Sequence, residues 1–337
     1  MRRLGVLALL SCLLLAGAAC GRELPDDDAV APGDEIQEEE VYEEFEEEAL
    51  TGRVRVDGSS TVAPYVTLAA ERFRKKNPDV KVTVGISGTG GGLERFCAGE
   101  TDLANASRPI KDEERAACEK KRIRFIELQV ANDGLSVVVN PENDWTDCLS
   151  IDQLKAIWKP GSDVDNWAEI ASDFPDEKLT LYGAGTDSGT FDFFTETVVG
   201  EEGESRSDYT ATEDDNVTVR GVSGEKGALG YLGLSYVEEN ESGLKAVAID
   251  GGDGCVEPSA ETVQDGTYKP LSRPLYVYAN RDSVEEKLQV DSFLAFILAN
   301  QRTIARGARF VPLTQEQLDR SRTILEGAAI DAAVGDG

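Results

Sequence analysis

Three short segments combine glycines with hydroxyl side chains in a way suited to one kind of chemistry. They are Asp57-Gly58-Ser59-Ser60-Thr61, Gly85-Ile86-Ser87-Gly88-Thr89-Gly90-Gly91-Gly92 and Gly183-Ala184-Gly185-Thr186-Asp187-Ser188-Gly189-Thr190. Glycine lets the backbone turn tightly and approach a ligand closely, and Ser and Thr are favoured at helix starts. Free amides and hydroxyls at the positive end of a helix dipole bind oxyanions. A fourth segment, Asn105-Ala106-Ser107-Arg108-Pro109, adds a guanidinium that can grip a phosphate or carboxylate through two parallel hydrogen bonds. One such turn alone is ordinary capping and turn chemistry; three of them with an arginine describe an anion site.

To work together, the three turns must each sit where a strand feeds a helix. Val54-Arg55-Val56 precedes the first, and a helix is predicted over about Ala63 to Lys76; Val80 to Val84 precedes the second, with a helix beginning near Gly91. Leu179 to Tyr182 precedes the third, with a helix over Thr190 to Val199. Further strand-like runs are Ile123 to Leu128, Leu135 to Asn140, Leu244 to Ile249 and Pro274 to Tyr278, and further helical ones Ser150 to Trp158, Ser283 to Asn300 and Thr314 to Leu325. This alternation predicts an α/β fold. Segments near Val130 to Asn140 and Ser272 to Asn280 read as crossings between two lobes, with 51–133 and 275–337 forming lobe 1 and 134–274 forming lobe 2. Two lobes joined by two hinge crossings can close on a ligand in the cleft. The alternative is a single large α/β domain.

The composition removes most enzymatic readings. The 337 residues include no histidine, which excludes Ser-His-Asp and Cys-His nucleophiles and histidine zinc sites. Leu93 stands where a dinucleotide fingerprint starting at Gly88 needs glycine, and no phosphate-loop motif ending in Gly-Lys-Ser/Thr occurs. Ser223-Gly224-Glu225-Lys226 lacks the companion motifs of penicillin-binding enzymes, and Asp250-Gly251-Gly252-Asp253-Gly254 lacks the spacing of a calcium loop. No metal, cofactor or enzyme activity is expected. The formal charge is −30, so a basic nucleic-acid surface is not expected either.

Residues 1–20 read as an export signal, with Arg2 and Arg3, an apolar stretch from Leu4 to Leu15, and small residues leading to Cys20. The ending at Cys20 resembles a bacterial lipobox, although Gly17 stands where such boxes usually carry Leu; it implies lipidation at Cys20, with ordinary cleavage and release as the alternative. Residues 21–50 hold fourteen acids against the single base Arg22 and read as an extended acidic tether. With +2 on residues 1–20 and −13 on 21–50, residues 51–337 carry −19. Any anion must therefore be held by local dipoles against the global field. Four cysteines, Cys97, Cys118, Cys148 and Cys255, remain in the exported body and allow three pairings. An oxidising compartment favours two disulfides; Cys97–Cys118, which closes a short loop, and Cys148–Cys255, which would clip one lobe, are preferred.

The ordered segments Asp57-Gly58-Ser59-Ser60-Thr61-Val62, Ser87-Gly88-Thr89-Gly90-Gly91-Gly92, Ala104-Asn105-Ala106-Ser107-Arg108-Pro109-Ile110 and Gly185-Thr186-Asp187-Ser188-Gly189-Thr190-Phe191 resemble the phosphate-binding proteins of bacterial phosphate ABC transporters. Val137-Val138-Val139-Asn140-Pro141 and Leu271-Ser272-Arg273-Pro274-Leu275 are similar to the family as well. The resemblance covers nearly all of residues 53–326. It implies a two-lobed periplasmic-binding-protein fold, a monomer outside the cytoplasm, capture of one inorganic phosphate, and delivery to membrane permease subunits. It further implies ligand contacts from Ser60, Thr61 and the Val62 amide, from Ser87, and from Ser188, Gly189 and Thr190, with Arg108 as the charged partner.

Some family members carry Asp where Arg108 stands and Arg upstream of the third loop, where this chain has Ala184 or Gly185. An exchange of the charged pair between lobes would make Asp187 the carboxylate that accepts the proton of phosphate, with Asp57 second. Such an acceptor repels fully ionised sulfate. The readings set against this one are a receptor for another tetrahedral oxyanion, such as sulfate or molybdate, a secreted phosphatase, and a surface protein that senses or adheres.

Overall fold

The structure, a computed structural model, describes residues 49–335. The export signal, Cys20 and nearly all of the acidic tether lie outside the described residues. The chain begins with β1 (Gly52–Gly58), α1 (Ala63–Lys76), β2 (Val80–Val84), α2 (Gly88–Cys97), β3 (Leu103–Ala106), α3 (Asp112–Lys120) and the long β4 (Phe125–Val139). It continues with β5 (Cys148–Ser150), α4 (Ile151–Trp158), β6 (Thr180–Ala184), α5 (Gly189–Phe194), β7 (Thr210–Thr212), α6 (Asp215–Gly224), β8 (Ala228–Gly233) and α7 (Leu234–Glu239). Then come β9 (Lys245–Ala246), β10 (Ala248–Asp250), β11 (Cys255–Val256), α8 (Ala260–Gln264), β12 (Ser272–Asn280), α9 (Arg281–Glu286), α10 (Leu288–Gly307) and α11 (Gln315–Gly335).

β1 pairs in parallel with β2 and β3, and β6 in parallel with β7 and β8. These are the two halves of one sheet of order β2-β1-β3-β12-β4-β8-β6-β7, with β9 beside β4. β4 joins the halves: Phe125 to Gly134 pair with β12, and Leu135 to Val139 pair with β8. Two large apolar cores follow this division. One gathers Val54, Tyr65, Phe73, Leu128, Val277, Phe293 and Leu298; the other gathers Leu135, Trp158, Trp167, Phe194, Tyr231 and Leu271. A smaller second sheet, β11-β10-β5, edges the second core.

The local sequence explains α1. Tyr65, Val66, Ala69 and Phe73 recur at helical spacing and are buried, Pro64 occupies the first turn, and Arg74, Lys75 and Lys76 complement the dipole in the last. Three expectations need correction. Ile123–Leu128 and Leu135–Asn140 belong to one strand, because the polar stretch between them finds partners from the end of the chain: Asn132 N–H donates to Val311 O at 2.9 Å, and Asn132 Nδ2 to Gln317 in α11 at 3.1 Å. The helix expected over Ser283–Asn300 breaks at Lys287, whose Nζ is drawn to buried Asp102 at 2.6 Å and to Ser283 at 3.1 Å. The helix expected from about Gly91 starts three residues earlier, at Gly88.

Both preferred disulfides form. Cys97–Cys118 joins α2 to α3, and Cys148–Cys255 joins β5 to β11 across a sequence separation of 107 residues, against 21 for the first. Loop-closure entropy makes the longer bridge the more stabilising by about 1.4 kcal/mol. Urea unfolding of Cys97→Ser/Cys118→Ser and Cys148→Ser/Cys255→Ser is expected to show losses of about 3 and 4–5 kcal/mol; equal losses would mean that the unfolded chain retains structure around the longer loop.

Candidate functional site

The three turns lie at the carboxyl ends of β1, β2 and β6, the edge at which open α/β sheets bind ligands. The first two are built against each other. Gly58 has φ +141°, and a Cβ at Gly92 would collide with the Gly58 backbone, so α2 seats directly on the first turn. Ser87 N–H donates to Gly58 O at 3.1 Å, and Ser87 Oγ donates to Asp57 Oδ1 at 2.7 Å. The other oxygen of buried Asp57 is paired with Arg95. The α1 start has no side-chain cap from its N-cap residue and no acid in its first turn, which leaves the positive end of its dipole uncompensated.

The third turn meets the first across the cleft. Thr61 Oγ1 donates to Gly189 O at 3.3 Å, and Ser60 Oγ donates to Asp192 Oδ2 at 3.1 Å. Ser188 caps α5, its Oγ accepting from Thr190 N–H at 3.1 Å. A cavity of about 610 Å³ opens beside this contact, lined by Ser60, Pro64, Thr67, Ile86, Asp187 and Ser188 among others. At the base of the contact stands Arg273, from β12. It donates through Nη2 to Thr61 Oγ1 at 2.8 Å and to Gly189 O at 3.4 Å, and through Nε to Asp133 Oδ2 at 3.1 Å. Its guanidinium lies 3.7 Å from the centroid of the Phe193 ring.

Ser60, Thr61, Val62, Ser188, Gly189 and Thr190 are thus brought together. Ser87 is close behind, with its hydroxyl proton engaged by Asp57. Arg108 forms a fork on Glu114, through Nη1 at 2.9 Å and Nη2 at 2.8 Å, and Nη1 also donates to Pro109 O. The Glu114 hydrogen bonds raise the Arg108 pKa further; in turn, burial tends to lift the Glu114 carboxyl, but the bonds from Arg108 and the Lys111 amide hold it below the usual carboxylate range. Asp187 was expected to be a buried acceptor, yet it is exposed, and its amide donates to Glu213 at 3.3 Å. The half-buried carboxylate at this contact is Asp192, one turn further along. Burial lifts its pKa, the Ser60 bond and Arg273 oppose the shift, and neighbouring Glu196 adds to it. Asp57, the second expected acceptor, has both oxygens engaged by Ser87 and Arg95.

Sequence reading passed over Asp133, Asp192 and Arg273. The signal for Arg273 was present in Leu271-Ser272-Arg273-Pro274-Leu275, a segment noted for its resemblance and given no role. A Cβ at Gly189 would lie 2.5 Å from Thr61 Oγ1 and 2.7 Å from Thr61 N. Gly189→Ala is therefore expected to hold the two walls apart while changing stability by about 1 kcal/mol or less. Small-angle scattering checks this: an unchanged radius of gyration with ligand present would show that the contact yields.

Residues 44–301 match a family model described as a PBP superfamily domain. Among curated proteins, the chain is 47% identical over 270 residues to Protein SphX of Synechococcus elongatus, covering 80% of each. It is 38% identical over 276 residues to the phosphate-binding protein PstS of Staphylococcus saprophyticus, covering 82% of this chain and 85% of the relative. The crystal structure of a possible phosphate binding protein from Planctomyces limnophilus superposes with a TM-score of 0.79 at 43% identity, covering 83% of this chain and 99% of that one. An ABC-type phosphate transport receptor from Vibrio cholerae shares the fold, with a TM-score of 0.59 at 22% identity, 77% of this chain and 100% of that one being covered. With two lobes joined by paired strands and a polar cleft at the strand ends, the chain belongs to the PBP superfamily and, within it, to the family of the PstS phosphate-binding proteins.

Proposed function

We propose that this chain captures inorganic phosphate outside the cytoplasm and hands it to the permease of an ABC transporter. The observation that carries the reading is the meeting of two helix-start turns, one from each lobe, around a guanidinium: Thr61 takes a 2.8 Å bond from Arg273 and makes a 3.3 Å bond to Gly189 O. Between such walls an oxyanion exchanges its water shell for fixed N–H and O–H dipoles. The relatives named PstS support phosphate as the ligand. In this reading Ser60, Thr61 and the Val62 amide line one side of the ligand, and Ser188, Gly189 and Thr190 the other. Ser87 and Arg108 shape the first wall from behind, through Asp57 and Glu114. The chain acts as a monomeric receptor and carries out no reaction on its ligand.

Phosphate keeps a proton at neutral pH and sulfate does not, so an ionised carboxylate facing the ligand accepts a bond from one and repels the other. Asp192 fits this role better than Asp187, because it lies at the contact between the walls and is half-buried, where charge is weakly screened. The lipobox-like ending at Cys20 supports a lipid anchor, with the acidic segment 21–50 as the spacer between membrane and body.

Calorimetric titration at neutral pH is expected to show one-to-one phosphate binding, with sulfate weaker by at least about 100-fold, on the order of 3 kcal/mol. Asp192→Asn should reduce that ratio to about tenfold and Asp187→Asn should leave it alone; a ratio unchanged by Asp192→Asn would return the acceptor role to another carboxylate, and equal affinity for both anions would end the phosphate reading. For the anchor, Cys20→Ser is expected to move the protein from the membrane fraction to the soluble one. A wild-type chain found wholly in the soluble fraction would rule the anchor out.

A further inference from the structure

Arg273 and Asp133 face each other as register partners on β12 and β4, the two strands that run between the cores. Both side chains are largely buried, at 11% and 14% exposure. A buried ion pair at a hinge can be simply a strut, but this one reaches further. One Nη2 group touches the first-lobe turn at Thr61 and the second-lobe turn at Gly189. A guanidinium has five N–H donors, and those on Nε and Nη2 have the partners already given. Nη1, with its two N–H groups, has no protein acceptor among the described residues, although buried donors are driven to find one. The other guanidiniums near the turns are engaged: Arg95 by Asp57 and Glu100, Arg108 by Glu114. The Phe193 ring and the Asp133 carboxylate hold the Arg273 fork in one plane.

We infer that Arg273 makes the charged contact to the captured oxyanion and that Asp133 is its positioning residue, so that the crossing strands themselves take part in reading the ligand. This rests on the phosphate reading above. It accounts for the placement of a guanidinium at a point touched by both walls, where a doubly charged ligand completes the fork and ties it to both lobes at once. Burial pushes the Asp133 carboxyl up and the Arg273 guanidinium down, and their mutual attraction opposes both shifts. An anion beside Nη1 opposes the downward shift of Arg273 and keeps the guanidinium charged.

The test is calorimetric titration of the whole chain with inorganic phosphate, alongside thermal unfolding, for four variants. Arg273→Gln is expected to weaken phosphate binding about 100-fold, and Arg273→Lys, which keeps the charge without the fork, about tenfold. Asp133→Asn should weaken it about tenfold by freeing the fork to turn. Asp133→Asn/Arg273→Gln removes both buried charges together, which protects the fold, and should still bind about 100-fold more weakly than wild type. If the double variant unfolds like wild type and binds phosphate as tightly, the pair is a hinge strut and the inference is overturned. A wild-type chain that binds no phosphate overturns the phosphate reading and the inference together, whereas tight wild-type binding with loss in the double variant supports both.

Discussion

Two strands running antiparallel between the cores set the geometry on which the cleft depends. β12 pairs with β4 from Ser272 opposite Gly134 to Asn280 opposite Phe125, and the register shifts between Leu275 and Tyr276. Beyond Gly134 the same β4 leaves β12 and pairs with β8, so one continuous ladder carries the first core into the second. A covalent tether alone would leave the orientation of the lobes free; a shared ladder restricts it, because a slip of one residue would move every side chain to the opposite face of the sheet. The pair Arg273–Asp133 sits on this ladder, close to where β4 changes partners. Its position explains why a residue far in sequence from every turn can touch two of them.

The electrostatics follow from the same arrangement. A body of −19 repels anions at long range, so the attraction has to be built over a few ångströms from dipoles and a desolvated guanidinium. Carboxylates stand close by. Asp57 orients Ser87 and is matched by Arg95; Glu114 is matched by Arg108; Asp133 is matched by Arg273. Asp192 and Glu202 have no ion-pair partner within bonding distance among the described residues, and burial raises the pKa of both. The acids around the turns are therefore of two kinds, paired ones that fix donors in place and ones without an ion-pair partner. Salt weakens the long-range repulsion far more than the buried contacts, which separates the approach of the ligand from its retention.

Much of this was legible in the sequence, and the omissions have physical causes. α1 was legible, from about Ala63 to Lys76, because its buried positions repeat at the helical period and its ends carry Pro64 and a basic last turn. The disulfides were legible because four cysteines leave few pairings. β4 was split in two because Gln129, Asn132, Asp133 and Gly134 look like a loop when their partners, Val311, Gln317 and Arg273, lie far away in sequence. Asp187 was named and Asp192 passed over because motif spacing cannot report burial: Asp187 is exposed and Asp192 half-buried. The pairing of Arg108 was hidden for a similar reason: its fork partner, Glu114, also bonds the Lys111 amide at the start of α3. A nearby carboxylate that satisfies a guanidinium is visible only once the helix start is in place.

The glycine-rich second turn shows how one motif can carry two demands. Gly88 has φ +74°, a left-handed conformation with open space around its missing side chain, so its constraint is purely conformational. Gly92 has no such φ and is constrained by contact, since any Cβ would meet the Gly58 backbone. The first glycine lets α2 begin at the strand end; the second lets α2 press against the turn that carries Ser60 and Thr61. A motif that reads as ligand chemistry is in this part a packing requirement, and the chemistry depends on it. The hydroxyls of Ser60 and Thr61 reach the opposite wall because the helix behind them approaches the backbone with no side chain between.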